Sequence, residues 1–248
     1  MSEPANPVSV LAIDAGNTRI KWGLSEGRRW VATGAVVRQD VVRLSDAWKA
    51  LPVPNKIVAS NVAGEIIRAE LGVLTARWHL TPQWVTATPA QCGVVNGYRQ
   101  PGQLGCDRWA ALIGAHELHH DAAVVVMAGT AITIDALTAD GRFLGGLILP
   151  GLDMMIDALT TRTAGIRVEP GEFQVFPTTT RDAVWSAAIQ ASVGAIERMR
   201  AALQAAGEAN PAIMLSGGAA AVIEAHLQGE VVRAENLVLE GLLCIATG

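Results

Sequence analysis

The stretch VLAIDAGNTRIKWGL (residues 10–24) decides the fold. An apolar run ends at Asp14, a polar tip with Gly16, Asn17 and Thr18 follows, and an alternating run then begins that contains Lys21. Two such runs joined by a glycine-containing turn are typical of adjacent antiparallel strands. The segment RRWVATGAVV (residues 28–37) has the pattern of a third strand after a Glu-Gly turn. The start of the chain therefore predicts an antiparallel meander.

The same pattern occurs again in VVVMAGTAITIDALTADGR (residues 124–142). When Gly16 is aligned with Gly129, both copies contain a strand, an Ala-Gly turn, a polar side chain, a second strand and a closing Gly-Arg, with one insertion. Self-similarity of this kind indicates two supersecondary units of the same type.

Helical spacing alternates with short strands over the rest of the chain. We expect a strand that ends in a glycine turn in AIMLSGG (residues 212–218) and helices over residues 39–51, 63–78, 106–120, 151–161, 181–206 and 235–246. Such alternation favours an α/β sheet. The sequence predicts an α/β fold of two similar lobes, residues 1–120 and 121–248, each with a mixed sheet, a three-strand meander and flanking helices. A cleft between the lobes is the expected ligand site.

The two hairpin tips are candidate phosphate-binding turns. Glycine lets backbone N–H groups approach an anion closely, and neighbouring hydroxyl or amide groups donate further hydrogen bonds. The residues concerned are Gly16, Asn17, Thr18, Gly129, Thr130 and Thr133. The alternative is that they only form tight hairpins, which use the same residue types.

Two charged residues of the first copy also have a chemical interpretation. Asp14 ends an apolar strand, and its carboxylate oxygens suit Mg²⁺, a hard cation that takes oxygen ligands. Lys21 can neutralise phosphate charge, or its aliphatic stem can simply extend to the surface.

Composition restricts the possible partners and the compartment. The net charge is −4, and only three of the basic residues are lysines, which argues against a nucleic-acid partner. Three cysteines without C-x-x-C spacing indicate neither a disulfide framework nor a zinc site, so we expect a cytoplasmic protein. We see no signal peptide and no apolar run long enough to span a membrane, and therefore expect no membrane partner.

Seven motifs, in order along the chain, resemble the type III pantothenate kinases of the actin-like superfamily, which have ribonuclease H-like lobes and include the Bvg accessory factor proteins. The motifs are DAGNT with a lysine three residues later, GCDRWAALIGA, GTAITID, FLGGLILPG, TTRDAV, LSGGAA and ENLVLEGL. The resemblance implies phosphoryl transfer from ATP to the primary hydroxyl of pantothenate, which is the first committed step towards coenzyme A. It also implies Mg²⁺, a monovalent cation (K⁺ or NH₄⁺) and a homodimer.

The resemblance assigns roles to individual residues. Asp14 matches the Mg²⁺-associated aspartate, and Asp107 matches the catalytic base. Pantothenate contacts are implied for Tyr98, Gly105, Arg108 and, from the partner subunit, Thr180. Gly217 and Gly218 match an adenosine-side turn. An independent interpretation of Asp107 is open, because an aspartate at the start of DRWAALIGA also suits helix capping. Arg108 in a first helical turn opposes the helix dipole, which suggests a further reason for it.

Two features depart from this pattern or stand outside it. The family usually has an aspartate two residues before the second glycine turn, associated with the monovalent cation, whereas this chain has Met127. A thioether is a poor ligand for K⁺, so we expect weak or no K⁺ dependence.

Three histidines, His116, His119 and His120, have helical spacing. A solvated helix end is the favoured interpretation over a metal site.

Other functions stay open from the sequence. The first is another small-molecule kinase of the same superfamily, acting on a sugar or a carboxylate. The second is a non-catalytic regulatory protein of the Bvg accessory factor type. The acidic net charge argues against direct DNA binding by such a protein.

Overall fold

The computed structural model of the chain describes residues 7–162 and 170–248, which divide into two compact units. Unit 1 comprises the chain up to residue 118 together with residues 237–248, and unit 2 comprises residues 119–236. The first boundary between these units lies at residues 118 and 119, the predicted boundary at residue 120, and the last helix lies in unit 1 although the predicted second lobe included it.

Unit 1 contains a five-stranded sheet with helices. Its elements are β1 (Ser9–Ala15), β2 (Arg19–Glu26), β3 (Arg29–Val37), α1 (Leu44–Ala47), β4 (Lys56–Asn61), α2 (Glu65–Thr75), β5 (Gln83–Trp84), β6 (Ala90–Gln91), β7 (Val94–Asn96), α3 (Cys106–Leu118) and α7 (Leu237–Thr247). The strand order is β3-β2-β1-β4-β5. The first three strands are antiparallel, as the meander predicts, and β4 and β5 continue the sheet in parallel.

Unit 2 has the same arrangement. Its elements are β8 (Ala123–Ala128), β9 (Ala131–Leu137), β10 (Arg142–Pro150), α4 (Leu152–Arg162), α5 (Thr180–Ala205), β11 (Ala212–Ser216), α6 (Ala220–Glu224) and β12 (Val231–Arg233). Its strands have the order β10-β9-β8-β11-β12. The meander is again antiparallel, and β11 and β12 are again parallel to β8. The repeat in the sequence is thus a repeat of topology.

The helix α7 belongs to unit 1 because of its contacts. Nine of its residues, among them Leu242 and Ile245, are buried, and the helix packs against α3, β1 and β4. Two glycines allow the close approach to α3: a Cβ at Gly241 would lie 1.8 Å from the Ala110 carbonyl oxygen, and one at Gly114 would lie 2.2 Å from that of Leu237. Within the described part of the chain, no helix is both long and apolar enough to cross a membrane.

Two local predictions were wrong. Residues 39–51 were expected to be one helix, but they form a 3₁₀ helix over Arg38–Arg43 followed by the single turn of α1. The helix α3 ends at Leu118, so His119 and His120 do not continue the helical spacing from His116. No cluster of three or more metal-ligating side chains occurs among residues 7–162 and 170–248.

Candidate active site

The first glycine turn connects β1 to β2 and carries three of the predicted site residues. The Gly16 backbone N–H donates a hydrogen bond to the Arg19 carbonyl oxygen over 3.1 Å, which closes the turn. Asn17 and Thr18 lie exposed at its tip. Asp14 and Lys21 are direct partners in the β1–β2 register, so the two charged side chains flank the base of the turn.

The Asp14 carboxylate is half-buried and lies next to Ser60 at the end of β4. Ser60 is fully buried, and its hydroxyl donates a hydrogen bond to Asp14 Oδ1 over 2.8 Å. Burial raises the pKa of Asp14 from its ordinary value near 3.8 to about 6. The negative charge of Asp107 raises this pKa further, whereas the Ser60 hydrogen bond and the positive charge of Lys21 lower it.

The second carboxylate, Asp107, is the second residue of α3. Its Oδ1 accepts the backbone N–H of Arg108 over 2.8 Å, so the side chain binds a donor of the first helical turn from a position inside the helix. A Cβ at Gly105 would lie 2.6 Å from that oxygen, so a larger residue here would shift the Asp107 side chain. Asp14 contacts Ser60, and the next residue, Asn61, contacts Cys106, so adjacent residues of β4 bring the two carboxylates into one neighbourhood of unit 1.

Arg108 and Tyr98 are brought together beside this neighbourhood. The Arg108 Nη1 donates a hydrogen bond to the Tyr98 hydroxyl over 2.9 Å, and the guanidinium carbon lies 5.7 Å from the centre of the tyrosine ring. Arg108 is buried, with 5% of its surface exposed. Tyr98 lies in the loop before α3, and its backbone N–H is held by Asn96 Oδ1 over 3.0 Å. The two predicted substrate contacts thus belong to one hydrogen-bonded pair.

The second glycine turn, at the end of β8, gathers the predicted residues of unit 2. The Gly129 N–H donates to the Ala131 carbonyl oxygen over 3.1 Å and closes the turn next to Thr130. Gly217 has a φ of +110°, and a Cβ there would lie 2.3 Å from the Ala128 carbonyl oxygen, so only glycine fits. A Cβ at the neighbouring Gly218 would meet no atom within 4 Å, which leaves open space there.

Thr133 and Met127 show how the second copy differs from the first. Met127 pairs with Thr133 on β9 and with Ser216 on β11, which are the positions that Lys21 and Ser60 occupy around Asp14. Thr133 is 9% exposed, and its hydroxyl has no hydrogen-bond partner among residues 7–162 and 170–248. Met127 therefore occupies the position in unit 2 that Asp14 occupies in unit 1.

Thr180 is the first residue of α5 and is exposed. The N-cap of this helix is the preceding residue, Thr179, whose hydroxyl oxygen accepts the Asp182 backbone N–H over 3.3 Å. Thr180 is consequently not needed to cap its own helix. Its predicted role across a subunit interface stays a prediction.

The sequence prediction did not assign roles to four residues close to the two turns. In unit 1 the Ser60 hydroxyl donates to Asp14, and the Asn61 backbone N–H donates to Cys106 Sγ. In unit 2 a Cβ at Gly151 would lie 2.5 Å from the carbonyl oxygens of Gly129 and Thr130. A signal for Ser60 existed, because KIVAS (residues 56–60) and AIMLS (residues 212–216) extend the internal repeat to the fourth strand of each sheet.

The carboxylates of unit 1 fit a divalent cation. Asp14 and Asp107 repel each other in a partly buried location, and a bound cation would relieve the repulsion that helps to raise the pKa of Asp14. Mg²⁺ commonly uses one or two carboxylates and completes its shell with water and substrate phosphate oxygens. Such a site does not need a cluster of three protein ligands.

Comparisons with known proteins agree on one family. The sequence pattern of the family described as type III pantothenate kinase matches residues 10–202. A type III pantothenate kinase of Nitrosospira multiformis is 48% identical over 241 residues, which cover 97% of this chain and 92% of the relative. One of Aromatoleum aromaticum is 46% identical and covers 96% of this chain and 97% of the relative.

Solved structures agree on the fold. A putative Baf family transcriptional activator from Campylobacter jejuni has a TM-score of 0.60 at 20% identity, covering 93% of this chain and 94% of that one. A putative 2-dehydro-3-deoxygalactonokinase from Sinorhizobium meliloti has a TM-score of 0.57 at 15% identity, covering 96% and 98%. At these identities the similarity concerns the fold alone, and it confirms the predicted two-lobed, actin-like α/β class.

Proposed function

This chain belongs to the type III pantothenate kinase family, and on that premise we propose that it transfers the γ-phosphoryl group of ATP to the primary hydroxyl of pantothenate. The product, 4′-phosphopantothenate, starts coenzyme A biosynthesis. The observation that carries the proposal is the neighbourhood of Asp14 and Asp107 in unit 1, which the Ser60–Asp14 and Asn61–Cys106 contacts establish, with the Arg108–Tyr98 pair at the next position of α3. Two carboxylates with different surroundings suit a reaction that needs both a metal site and a base.

Asp107 is the proposed base. Phosphoryl transfer requires mainly that the reactants are positioned and that charge is neutralised, and a carboxylate beside the attacking hydroxyl orients it and accepts its proton. The hydrogen bond from the Arg108 backbone N–H occupies Oδ1 and holds the carboxylate in one orientation. The other oxygen, Oδ2, is the one that we assign to the pantothenate hydroxyl.

Asp14 is the proposed Mg²⁺ ligand. When bound, Mg²⁺ would neutralise charge on the phosphate oxygens of ATP. Asp14 holds one carboxylate at the base of the first turn, and Lys21 on the paired strand adds a positive charge there. Ionised Asp14 is required for this role, and the Ser60 hydrogen bond and Lys21 both favour the ionised form.

The two glycine turns are the proposed phosphate contacts. In unit 1 these are the backbone at Gly16 and the side chains of Asn17 and Thr18, which are exposed at the tip. In unit 2 they are Gly129, Thr130 and Thr133, and the unpartnered Thr133 hydroxyl supports a role in binding. We assign the open space at Gly218, next to the strained turn at Gly217, to the adenosine side of ATP.

The Arg108–Tyr98 pair is the proposed pantothenate site. Pantothenate carries a carboxylate, and a guanidinium group binds carboxylates with charge-assisted hydrogen bonds. The hydrogen bond to the Tyr98 hydroxyl orients the Arg108 guanidinium. Gly105 leaves room for the Asp107 carboxylate next to this pair.

A dedicated monovalent-cation site does not fit the residues present. Met127 pairs with Thr133 and Ser216 and offers a thioether where the resemblance expects the carboxylate that is associated with the cation. We expect equal rates in K⁺ and in tetramethylammonium at the same ionic strength. Strong activation by K⁺ would contradict this expectation.

We also infer a homodimer in the cytoplasm. Unit 2 exposes large apolar side chains, including Ile148 (64%), Val175 (65%) and Phe176 (87%). A second copy is the partner that the family resemblance implies, and a dimer interface would cover side chains of this kind. All three cysteines are free, which suits a reducing compartment.

The test follows ADP release by the purified protein with ATP, Mg²⁺ and pantothenate. Asp107→Asn preserves the shape of the side chain but removes the base, so we expect kcat to fall by about 10²-fold or more. Asp46→Asn, which changes an exposed carboxylate on α1 of the same unit, is the matched control and should retain wild-type activity. Circular dichroism checks that both variants fold.

Other outcomes would redirect the assignment. If the wild-type protein releases no ADP with pantothenate, the substrate proposal fails, and a panel of hexoses and carboxylates would test the other kinases of this fold. A tight, sequence-specific complex with DNA at moderate salt would instead favour a regulatory function.

A further inference from the structure

The C-terminal end of β4 contacts both elements that carry the proposed catalytic carboxylates. Ser60 pairs with Asp14 in the parallel β1–β4 register. Its hydroxyl is fully buried and donates to Asp14 Oδ1 over 2.8 Å. Strands β1 and β4 are neighbours inside one sheet. The contact therefore fixes the Asp14 carboxylate relative to β4 and not only relative to its own glycine turn.

The next residue of β4 contacts the start of α3. The Asn61 backbone N–H donates to the Cys106 Sγ over 3.3 Å, and the thiol donates back to the Asn61 carbonyl oxygen over 3.5 Å. The Asn61 side chain holds the following turn through Ala63 N–H (3.1 Å) and the Gly64 carbonyl oxygen (3.0 Å). Cys106 directly precedes Asp107, so this reciprocal pair anchors the helical turn that carries the proposed base.

We propose that Ser60 and Cys106 are positioning residues for the kinase reaction: Ser60 orients the Asp14 carboxylate for the divalent cation, and Cys106, through Asn61, sets the position of Asp107. The inference rests on the proposed function. Two adjacent residues of one strand thereby fix the separation of the metal ligand and the base.

Phosphoryl transfer gives such residues a measurable effect. Catalysis of this reaction consists largely of positioning, and small misplacements of the reacting groups cost up to about 10²-fold in rate. Side chains that orient a metal ligand without contacting the metal typically contribute about 10- to 100-fold to metal affinity or activity. The Ser60 part therefore predicts a loss of metal affinity, and the Cys106 part predicts a loss of rate.

The Ser60 part is tested by metal binding. Electron paramagnetic resonance counts free Mn²⁺ in titrations of the protein with ATP present and pantothenate absent. We expect Ser60→Ala to weaken Mn²⁺ binding about tenfold, with the KM for pantothenate unchanged. Ser60→Thr keeps the hydroxyl and should restore binding. Ser60→Cys matches serine in size but is a weak donor, so it should bind weakly and serves if the alanine variant does not fold.

The Cys106 part is tested by the rate. We expect Cys106→Ala to lower kcat about tenfold while Mn²⁺ binding stays at the wild-type level. Cys106→Ser keeps a donor and acceptor for Asn61 and should recover most of the rate. A loss of kcat in the serine variant equal to that in the alanine variant would overturn this part, because it would show that the polar pair is not what matters.

A double-variant comparison separates positioning from general damage. In an Asp14→Asn background, Ser60→Ala should cause no further loss of Mn²⁺ binding, because the group that it orients is altered. Wild-type Mn²⁺ binding by folded Ser60→Ala would refute the Ser60 part. If the wild-type protein does not phosphorylate pantothenate, the proposed function fails, whereas the Mn²⁺ titration still decides whether Ser60 positions Asp14.

Discussion

Asp14 is a residue whose proposed role costs stability. Burial raises its pKa from 3.8 to about 6, so the folded protein holds the proton more tightly than the unfolded chain does. A raised pKa means that folding is favoured while the group is protonated, below about pH 4. This contribution is lost as the pH rises through about 6. At neutral pH the charged carboxylate therefore opposes folding, at most by about 3 kcal/mol.

Asp14→Asn should accordingly stabilise the metal-free protein while it abolishes activity. We expect its melting temperature in EDTA to exceed that of the wild type by several degrees at pH 8. The difference should shrink between pH 6 and pH 4, because the wild-type carboxyl becomes protonated over that range. Thermal unfolding at a series of pH values measures this. Equal melting temperatures of Asp14→Asn and wild type at pH 8 would contradict the prediction.

The residues that were predictable from sequence are those with a local signature. Asp14 and the glycine turns stand out because a polar tip interrupts apolar strands, and the repeat shows the pattern twice. Ser60 is different: its role depends on the parallel register between β1 and β4, which are separated by two further strands in the sequence. The position of Cys106 against Asn61 likewise depends on how α3 packs on the sheet. The repeat marks Ser60 as the end of the fourth strand, but no local pattern encodes which residues it or Cys106 contacts.

At the scale of elements, the packing of α7 on α3 is the contact that joins the C-terminus to unit 1. The helices approach so closely that backbone meets backbone at Gly241 and Ala110. The sequence prediction assigned α7 to the second lobe, because it divided the chain at one point and so gave every later residue to that lobe. The apolar composition of the helix indicates burial but not the partner.

The helix crossing gives a sharp prediction. Gly241→Ala would put a Cβ 1.8 Å from the Ala110 carbonyl oxygen, so we expect it to lower the free energy of unfolding by about 3 kcal/mol or more. Gly194→Ala on α5 is the matched control: its Cβ meets no atom within 4 Å, and we expect up to about 1 kcal/mol of stabilisation. Urea unfolding of the two variants measures both values. Similar stability of the two would show that the crossing is looser than described.

At the scale of the whole molecule, two units of the same topology carry different side chains at equivalent positions. Both have an antiparallel meander extended by two parallel strands, but the carboxylates and the Arg108–Tyr98 pair lie in unit 1. Unit 2 has Met127 in place of Asp14 and contributes glycine turns. The repeat made the common topology predictable, since the strand pattern is local and occurs twice. Oligomeric state is a property of surfaces between chains, and spacing along one chain does not determine it.

The dimer proposal leads to a complementation experiment. If Thr180 acts on the site of the partner subunit, a dimer of one Asp107→Asn chain and one Thr180→Ala chain has one site with both wild-type residues. Thr180→Ala leaves the helix cap at Thr179 intact, so the variant should fold. We expect each variant alone to be nearly inactive. When the two variants are refolded or co-expressed in equal amounts, half of the random dimers are mixed, and each mixed dimer has one intact site out of two. The mixture should therefore regain about a quarter of wild-type activity. If Thr180 acts within its own chain, no mixed dimer contains an intact site and activity stays at the level of the separate variants. Full activity of Thr180→Ala alone would exclude the residue from the reaction.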